Sequence, residues 1–173
     1  SYLVRKADTA FKYLRLCMIS FFVKSEPSGN IIKSPAPKPK PLAGRIALVT
    51  GAASGLGKAT ALRLAAEGAC VVVADRDLAG AQTVASEIGN SDKAIGVSMD
   101  VTDEDAIAES IRSANLAFGG VDIVVNNAGI SISKSLVETT AQDWDLQHDI
   151  MARGSFLVSR EATKAMIAQK MGG

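Results

Sequence analysis

An α/β fold, a doubly wound parallel sheet, is what this sequence predicts, and three observations carry the expectation. First, residues 46–49 (Ile-Ala-Leu-Val) and 69–74 (Ala-Cys-Val-Val-Val-Ala) are apolar at every position instead of at alternate ones, as strands buried on both faces are. Second, the first run stops in glycines at Gly51, Gly55 and Gly57 and resumes as a helical pattern. Third, further strand-like runs alternate with helical stretches, which implies parallel strands joined by right-handed crossovers.

In chain order, residues 1–23 place Leu3, Ala7, Ala10, Phe11, Leu14 and Met18 at helical spacing, an isolated amphipathic helix with no visible partner. It reads as the end of an upstream domain or a docking helix. Residues 24–43 are rich in Ser, Pro and Lys, and Pro35-Ala-Pro-Lys-Pro-Lys-Pro41 favours an extended spacer, so this stretch is a linker. Residues 44–173 are the globular part. After the first strand, residues 58–67 are helical and Gly68 supplies a stop. The second strand ends at Asp75, and Leu78, Ala81, Ala85 and Ile88 make the inner stripe of the next helix. Residues 93–99 form a third strand that runs into Asp100 and Val101. Thr102-Asp-Glu-Asp105 opens a helix in the manner of a capping box, with Ile107, Ile111 and Phe118 inward and Gly119-Gly120 as the stop. Residues 121–125 form a fourth strand leading into Asn126-Asn-Ala-Gly129. Thr140-Ala-Gln-Asp143 opens a last helical stretch, broken near Gly154.

The glycines have separate physical uses: a tight turn out of the strand, close backbone approach to a diphosphate, and close packing of helix on sheet. The helix that follows offers unpaired N–H groups and its positive dipole end to an anion. A carboxylate, Asp75, ends the second strand about 20 residues later, where a dinucleotide fold binds the ribose hydroxyls. Together these features describe part of a Rossmann-type dinucleotide-binding domain. Asp75 would repel a ribose phosphate and so favours NAD over NADP; a helix-capping aspartate is the other reading. Arg76 argues the opposite way, since a guanidinium beside the ribose can support a 2′-phosphate.

Thr50-Gly-Ala-Ala-Ser-Gly-Leu-Gly57 has the form Thr-Gly-x-x-x-Gly-x-Gly, and with Asn126-Asn-Ala-Gly129 it resembles the two signatures of the short-chain dehydrogenase/reductases, over residues 42–173. The resemblance implies an incomplete Rossmann sheet of four strands, the NAD-binding half of an enzyme that transfers hydride between a nicotinamide and an alcohol or carbonyl substrate. It assigns Thr50, Gly51, Ser54, Gly55, Leu56 and Gly57 to the cofactor turn. Ser54 stands where NADP-preferring members carry a basic residue, which again points to NAD. Asp100 and Val101 would contact the adenine, Asn127, Ala128 and Gly129 would lie along the cofactor, and Asn126 would tie strands together. Met151 falls where an asparagine of the catalytic tetrad is usual, and a thioether is only a weak acceptor. No catalytic residue is therefore assigned within the chain. His148, one turn earlier, and Trp144 are read as surface or packing residues. The family's catalytic serine and Tyr-x-x-x-Lys pair would lie past Gly173, so the fragment is expected to be inactive and its parent a homo-oligomer. Tyr2-Leu-Val-Arg-Lys6 repeats that spacing ahead of the linker and is read as a chance match. An orphan helix and linker ahead of these motifs resemble the junction in bifunctional aldolase/short-chain dehydrogenase proteins, which would make the substrate sugar-derived. A non-catalytic dinucleotide-binding or oligomerisation module is the alternative.

Composition agrees with a globular chain: 47% hydrophobic, 21% charged and a formal net charge of +1. Residues 1–43 hold eight Lys/Arg against two Asp/Glu, scattered among prolines, which reads as a solvated linker and not as a nucleic-acid patch. Cys17 and Cys70 share no metal-ligand spacing with His148, so neither a metal site nor a disulfide is expected. The apolar run around Ser20 is far short of the about 20 residues of a membrane span. It has basic residues before it, as a signal peptide does, but no clear cleavage site, so a cytoplasmic protein is expected.

Overall fold

The computed structural model describes residues 40–169. The helix expected over residues 1–23 and the linker up to residue 39 lie outside them. The chain runs β1 (Ile46–Thr50), α1 (Gly55–Ala66), β2 (Cys70–Asp75), α2 (Leu78–Ile88), β3 (Ala94–Ser98), α3 (Glu104–Phe118), β4 (Ile123–Val125), α4 (Ala141–His148), a π-turn (Asp149–Arg153) and α5 (Gly154–Ala168). All four strands are parallel, in the order β3-β2-β1-β4.

The continuous apolar runs are explained by what covers each face. Ala47, Val49, Val71 and Val73 face one way, onto Ala61 of α1 and Ala81, Val84 and Ala85 of α2. Leu48, Val72 and Ala74 face the other way, onto Ile107, Ile111 and Ala114 of α3 and Leu157, Val158 and Ala162 of α5. Both faces of β1 and β2 are thus dry, and each of Val71, Val72 and Val73, fully buried, contributes about 1.5–3 kcal/mol relative to exposure. Leu42 joins the first cluster, and its N–H donates to the Glu67 carbonyl at 3.0 Å, so the globular body begins ahead of β1.

Several local expectations shift. The inner stripe of α2 is Ala81, Val84, Ala85 and Ile88; Leu78 sits in the first turn, beyond the strand end, and is 40% exposed. Helix α3 is capped by Asp103, whose carboxylate accepts from the N–H groups of Asp105 and Ala106. Thr102 does not cap it, because its hydroxyl is spent on Asp100. The capping box expected at Thr140 and Asp143 is present at α4. The break in the last helical stretch comes just before Gly154, as the π-turn that contains Met151. Cys70, placed in a buried strand, is half-buried, with its thiol 3.5 Å from the Asp92 carbonyl. Among the described residues no helix is long and apolar enough to cross a membrane, and no group of three or more His, Cys, Asp or Glu could hold a metal ion.

Candidate functional site

The strand order creates the site. From β1 the chain crosses outward to β2 and β3, then returns to the other side of β1 as β4, so the connections leaving β1 and β4 diverge to opposite faces. A cleft of about 320 Å³ opens at the carboxyl ends of the strands.

Its floor is the turn after β1. Gly51 has φ of 64°, and a Cβ there would lie 2.9 Å from the Ala128 Cα. Gly57 has an ordinary helical backbone, but a Cβ would lie 2.1 Å from the Gly51 carbonyl oxygen and 2.5 Å from the Asn127 Nδ2. One glycine lets the chain turn and the other lets α1 close on it. Thr50, 1% exposed, clamps this floor to β4: its hydroxyl accepts from the N–H groups of Asn127 and Ala128, both at 3.0 Å, and donates to the Val125 carbonyl at 3.4 Å. The Asn127 amide donates to the carbonyls of Thr50 and Gly51 at 3.0 and 3.1 Å.

The role of Asn126 therefore differs from expectation, and Asn127 gains a second one. Asn127 ties β4 to β1, and Asn126 reaches away to the Ser159 hydroxyl of α5 at 2.9 Å. The reason is the period of two along an extended chain, which sends adjacent side chains to opposite sides. The cleft takes Asn127, Ala128 and Gly129 along one wall.

At the β2 end, Asp75 and Arg76 line the opposite wall. Asp75 Oδ2 accepts from the Ala53 N–H of the glycine turn and Oδ1 from the Asp77 N–H, each at 3.0 Å. The cap of α2 is Asp77, which accepts from Gly80 N–H. The helix-cap reading of Asp75 is thus replaced by a brace: the carboxylate joins the strand end to the turn and still faces the cleft. At the β3 end, Asp100 and Val101 also line it, beside Thr102. The Thr102 N–H, then its hydroxyl, hold the Asp100 carboxyl below the usual carboxylate range, and the nearby Arg76 charge adds to this. Asp100 is therefore an ionised acceptor at neutral pH.

Of the residues expected at the cofactor, Gly51, Ser54, Asp75, Arg76, Asp100, Val101, Asn127, Ala128 and Gly129 line the cleft. Thr50, Gly55, Leu56 and Gly57 do not. They build the turn beneath it, and the Leu56 side chain is 81% exposed. Ser54 is the N-cap of α1 and makes no side-chain cap bond, so its hydroxyl and the first-turn N–H groups remain open to an anion. Met99, Thr102, Ile130, Leu146 and Ile150 also line the cleft. The Asp-x-Thr spacing at 100–102 signals an Asx-type turn and could have revealed Thr102; nothing local marks Leu146 and Ile150, which arrive from α4 and the π-turn.

Met151 is 51% exposed and packs toward Gly129, its Cγ 3.6 Å from where a Gly129 Cβ would stand. His148 stacks on Trp144 at a centroid distance of 4.0 Å, with its Nδ1 3.0 Å from the Trp144 carbonyl. Trp144 is 59% exposed, so it is a surface residue of α4 and not part of the core. Neither ring lines the cleft.

A dinucleotide fits this donor set. The floor has no room for a Cβ at Gly51 or Gly57, a helix start with open N–H groups stands at one side, and two carboxylate residues line the cleft at the ends of β2 and β3. Comparisons with known proteins agree. The chain is 44% identical over 141 residues to the uncharacterized oxidoreductase YuxG of Bacillus subtilis, covering 80% of this chain and 20% of that protein. It is 40% identical over 133 residues to a 3-oxoacyl-[acyl-carrier-protein] reductase of Synechocystis, covering 76% of this chain and 54% of the relative. A crystal structure of 3-ketoacyl-(acyl-carrier-protein) reductase from Brucella melitensis complexed with NADH superposes with a TM-score of 0.69 at 39% identity, over 72% of this chain and 51% of that one. The chain thus spans between a fifth and about half of the length of the curated relatives it matches. The family model described as short chain dehydrogenase matches residues 45–173, and with the strand order, the glycine turn and the Asn-Asn-Ala-Gly wall in place, the chain belongs to the short-chain dehydrogenase family.

Proposed function

We propose that this chain is the NAD-binding part of an oxidoreductase that moves hydride between a nicotinamide cofactor and an alcohol or carbonyl substrate, sugar-derived if the head of the chain is the junction it resembles. The observation that carries the reading is Asp75, a carboxylate held by the Ala53 and Asp77 N–H groups at the end of β2 and facing the same cleft as the glycine turn. An acceptor there suits two ribose hydroxyls and repels a 2′-phosphate. When bound, the nicotinamide supplies the hydride acceptor or donor. The residues described bind and orient: the turn and the α1 start neutralise the diphosphate, Asp75 takes the ribose, Asp100 and Val101 the adenine, and the 127–129 wall directs the remainder.

Among the described residues that line the cleft there is no tyrosine, lysine or histidine to handle a hydroxyl proton. Binding without turnover is the behaviour proposed for the 173-residue chain. The second reading, a dinucleotide-binding or oligomerising module without catalysis, is favoured by Met151 at the place of the family's relay asparagine. The parent is proposed to be a homo-oligomer in the cytoplasm.

The test is a fluorescence titration of the 173-residue chain with NADH and NADPH. A preference for NADH of about tenfold or more, narrowed by Asp75→Ser, is expected from loss of a charge-assisted bond. Tighter binding of NADPH would refute the assignment, with Arg76 then the dominant group.

A further inference from the structure

We propose that Thr102 is a positioning residue that makes the cleft selective for a purine bearing an exocyclic amino group. The inference rests on the reading that Asp100 meets the adenine. The outer torsion of an aspartate side chain is soft and nearly two-fold, so a free carboxylate presents either oxygen with little preference. Here the symmetry is broken. Both Thr102 donors converge on one oxygen: the N–H reaches Asp100 Oδ1 at 2.9 Å and the hydroxyl reaches the same atom at 2.7 Å. Asp100 Oδ2 accepts no hydrogen bond among the described residues and belongs to a side chain that lines the cleft.

Two consequences follow for recognition. The carboxylate is locked, so the bond from an incoming donor does not have to bear the cost of ordering it. The Thr102 hydroxyl has also spent its only proton, so the Asp100–Thr102 pair offers an acceptor and no donor. A purine carrying an amino group can pair with it. A purine carrying a carbonyl oxygen there would set two acceptors against each other, and a bound polar group left facing a like partner is strongly disfavoured. The selective element is thus a pair: Asp100 supplies the charge and Thr102 its direction.

The experiment titrates the 173-residue chain with NADH and with reduced nicotinamide hypoxanthine dinucleotide, in which an oxo group replaces the purine amino group and the adjacent ring nitrogen carries a proton. Because that nitrogen is the same in every variant, the Thr102 effect is read as the change in preference between variants. The wild-type chain is expected to favour NADH by about tenfold. Thr102→Ala keeps the backbone N–H but removes the hydroxyl, and should cut that preference to about threefold or less, because one bond in place of two leaves the carboxylate torsion looser. Thr102→Ser restores the hydroxyl and should restore the preference. Equal loss in the Ser and Ala variants would overturn the proposal, because the methyl group and not the hydroxyl would then matter. Full preference in Thr102→Ala, with preference lost in Asp100→Asn, overturns the role of Thr102 and leaves Asp100 on the purine. No preference in the wild type, with Asp100→Asn binding both dinucleotides as the wild type does, overturns the adenine reading itself and the proposal with it.

Discussion

Replacing Gly57 by alanine sets two local effects against each other, and the structure says which wins. On helix propensity alone the change should stabilise α1 by about 1 kcal/mol. Its backbone is not in the left-handed region, so no strain opposes it. The new Cβ, however, would lie 2.1 Å from the Gly51 carbonyl oxygen and 2.5 Å from the Asn127 Nδ2. These atoms are backbone and a clamped amide, not the free end of a flexible chain. Relief requires α1 to lift off the turn, at an overpacking cost of about 1–3 kcal/mol. It also separates the Asn127 amide from the Thr50 and Gly51 carbonyls, two hydrogen bonds of about 1 kcal/mol each. The net expectation is a destabilisation of about 2–4 kcal/mol, which lowers the melting temperature by about 3 °C per kcal/mol. Thermal and urea unfolding followed by circular dichroism at the helix band would measure it. Gly129→Ala is the control: its Cβ would meet Met151 at an ordinary 3.6 Å, so its stability should stay within about 0.5 kcal/mol of wild type. Equal stability of the two variants would refute the close-approach argument.

Thr50→Val keeps the shape of a buried side chain and strands the Ala128 N–H group, while the Asn127 N–H keeps the Val125 carbonyl at 3.1 Å, so unfolding should show a loss of about 1–3 kcal/mol, and NADH affinity should fall as the two walls separate. The Asp143 carboxylate is held down to about 2, first by the Lys134 ammonium and then by the Thr140 N–H and hydroxyl. Its folded value lies below its unfolded one, so the stability it contributes is present above about pH 4 and is lost as the pH falls toward 2. Asp143→Asn should flatten the melting temperature against pH in that window; an unchanged acid slope would count against the Lys134 pair and the capping box as its source. Asp75→Ala leaves the Ala53 N–H of the glycine turn without its acceptor, so it should cost about 1–3 kcal/mol of stability as well as weakening NADH, read from melting curves taken without dinucleotide.

The elements that sequence located best are those whose burial is two-sided. Val71, Val72 and Val73 announce a covered strand because no face of β2 meets water, and the glycines with Asp75 announce a turn and an acceptor because only small residues and a carboxylate serve those positions. Periodicity also placed Ile107 and Ile111 inward on α3. It failed at Leu78, where the apolar spacing continues one turn beyond the sheet that would bury it.

The sequence by itself determined the kind of fold, the glycine turn, the acidic ends of β2 and β3, and the family to which these belong. Each depends on residue type at short range, and residue type is what a sequence records. Only the tertiary structure decided which glycine is irreplaceable for space, that Asn127 and not Asn126 clamps β1 to β4, that Asp75 braces the turn as well as facing the cleft, and that Leu146 of α4 and Ile150 of the π-turn line the cleft. Those assignments depend on which atoms meet across strands and helices far apart in the chain, and packing fixes them to a few tenths of an ångström that no local pattern encodes.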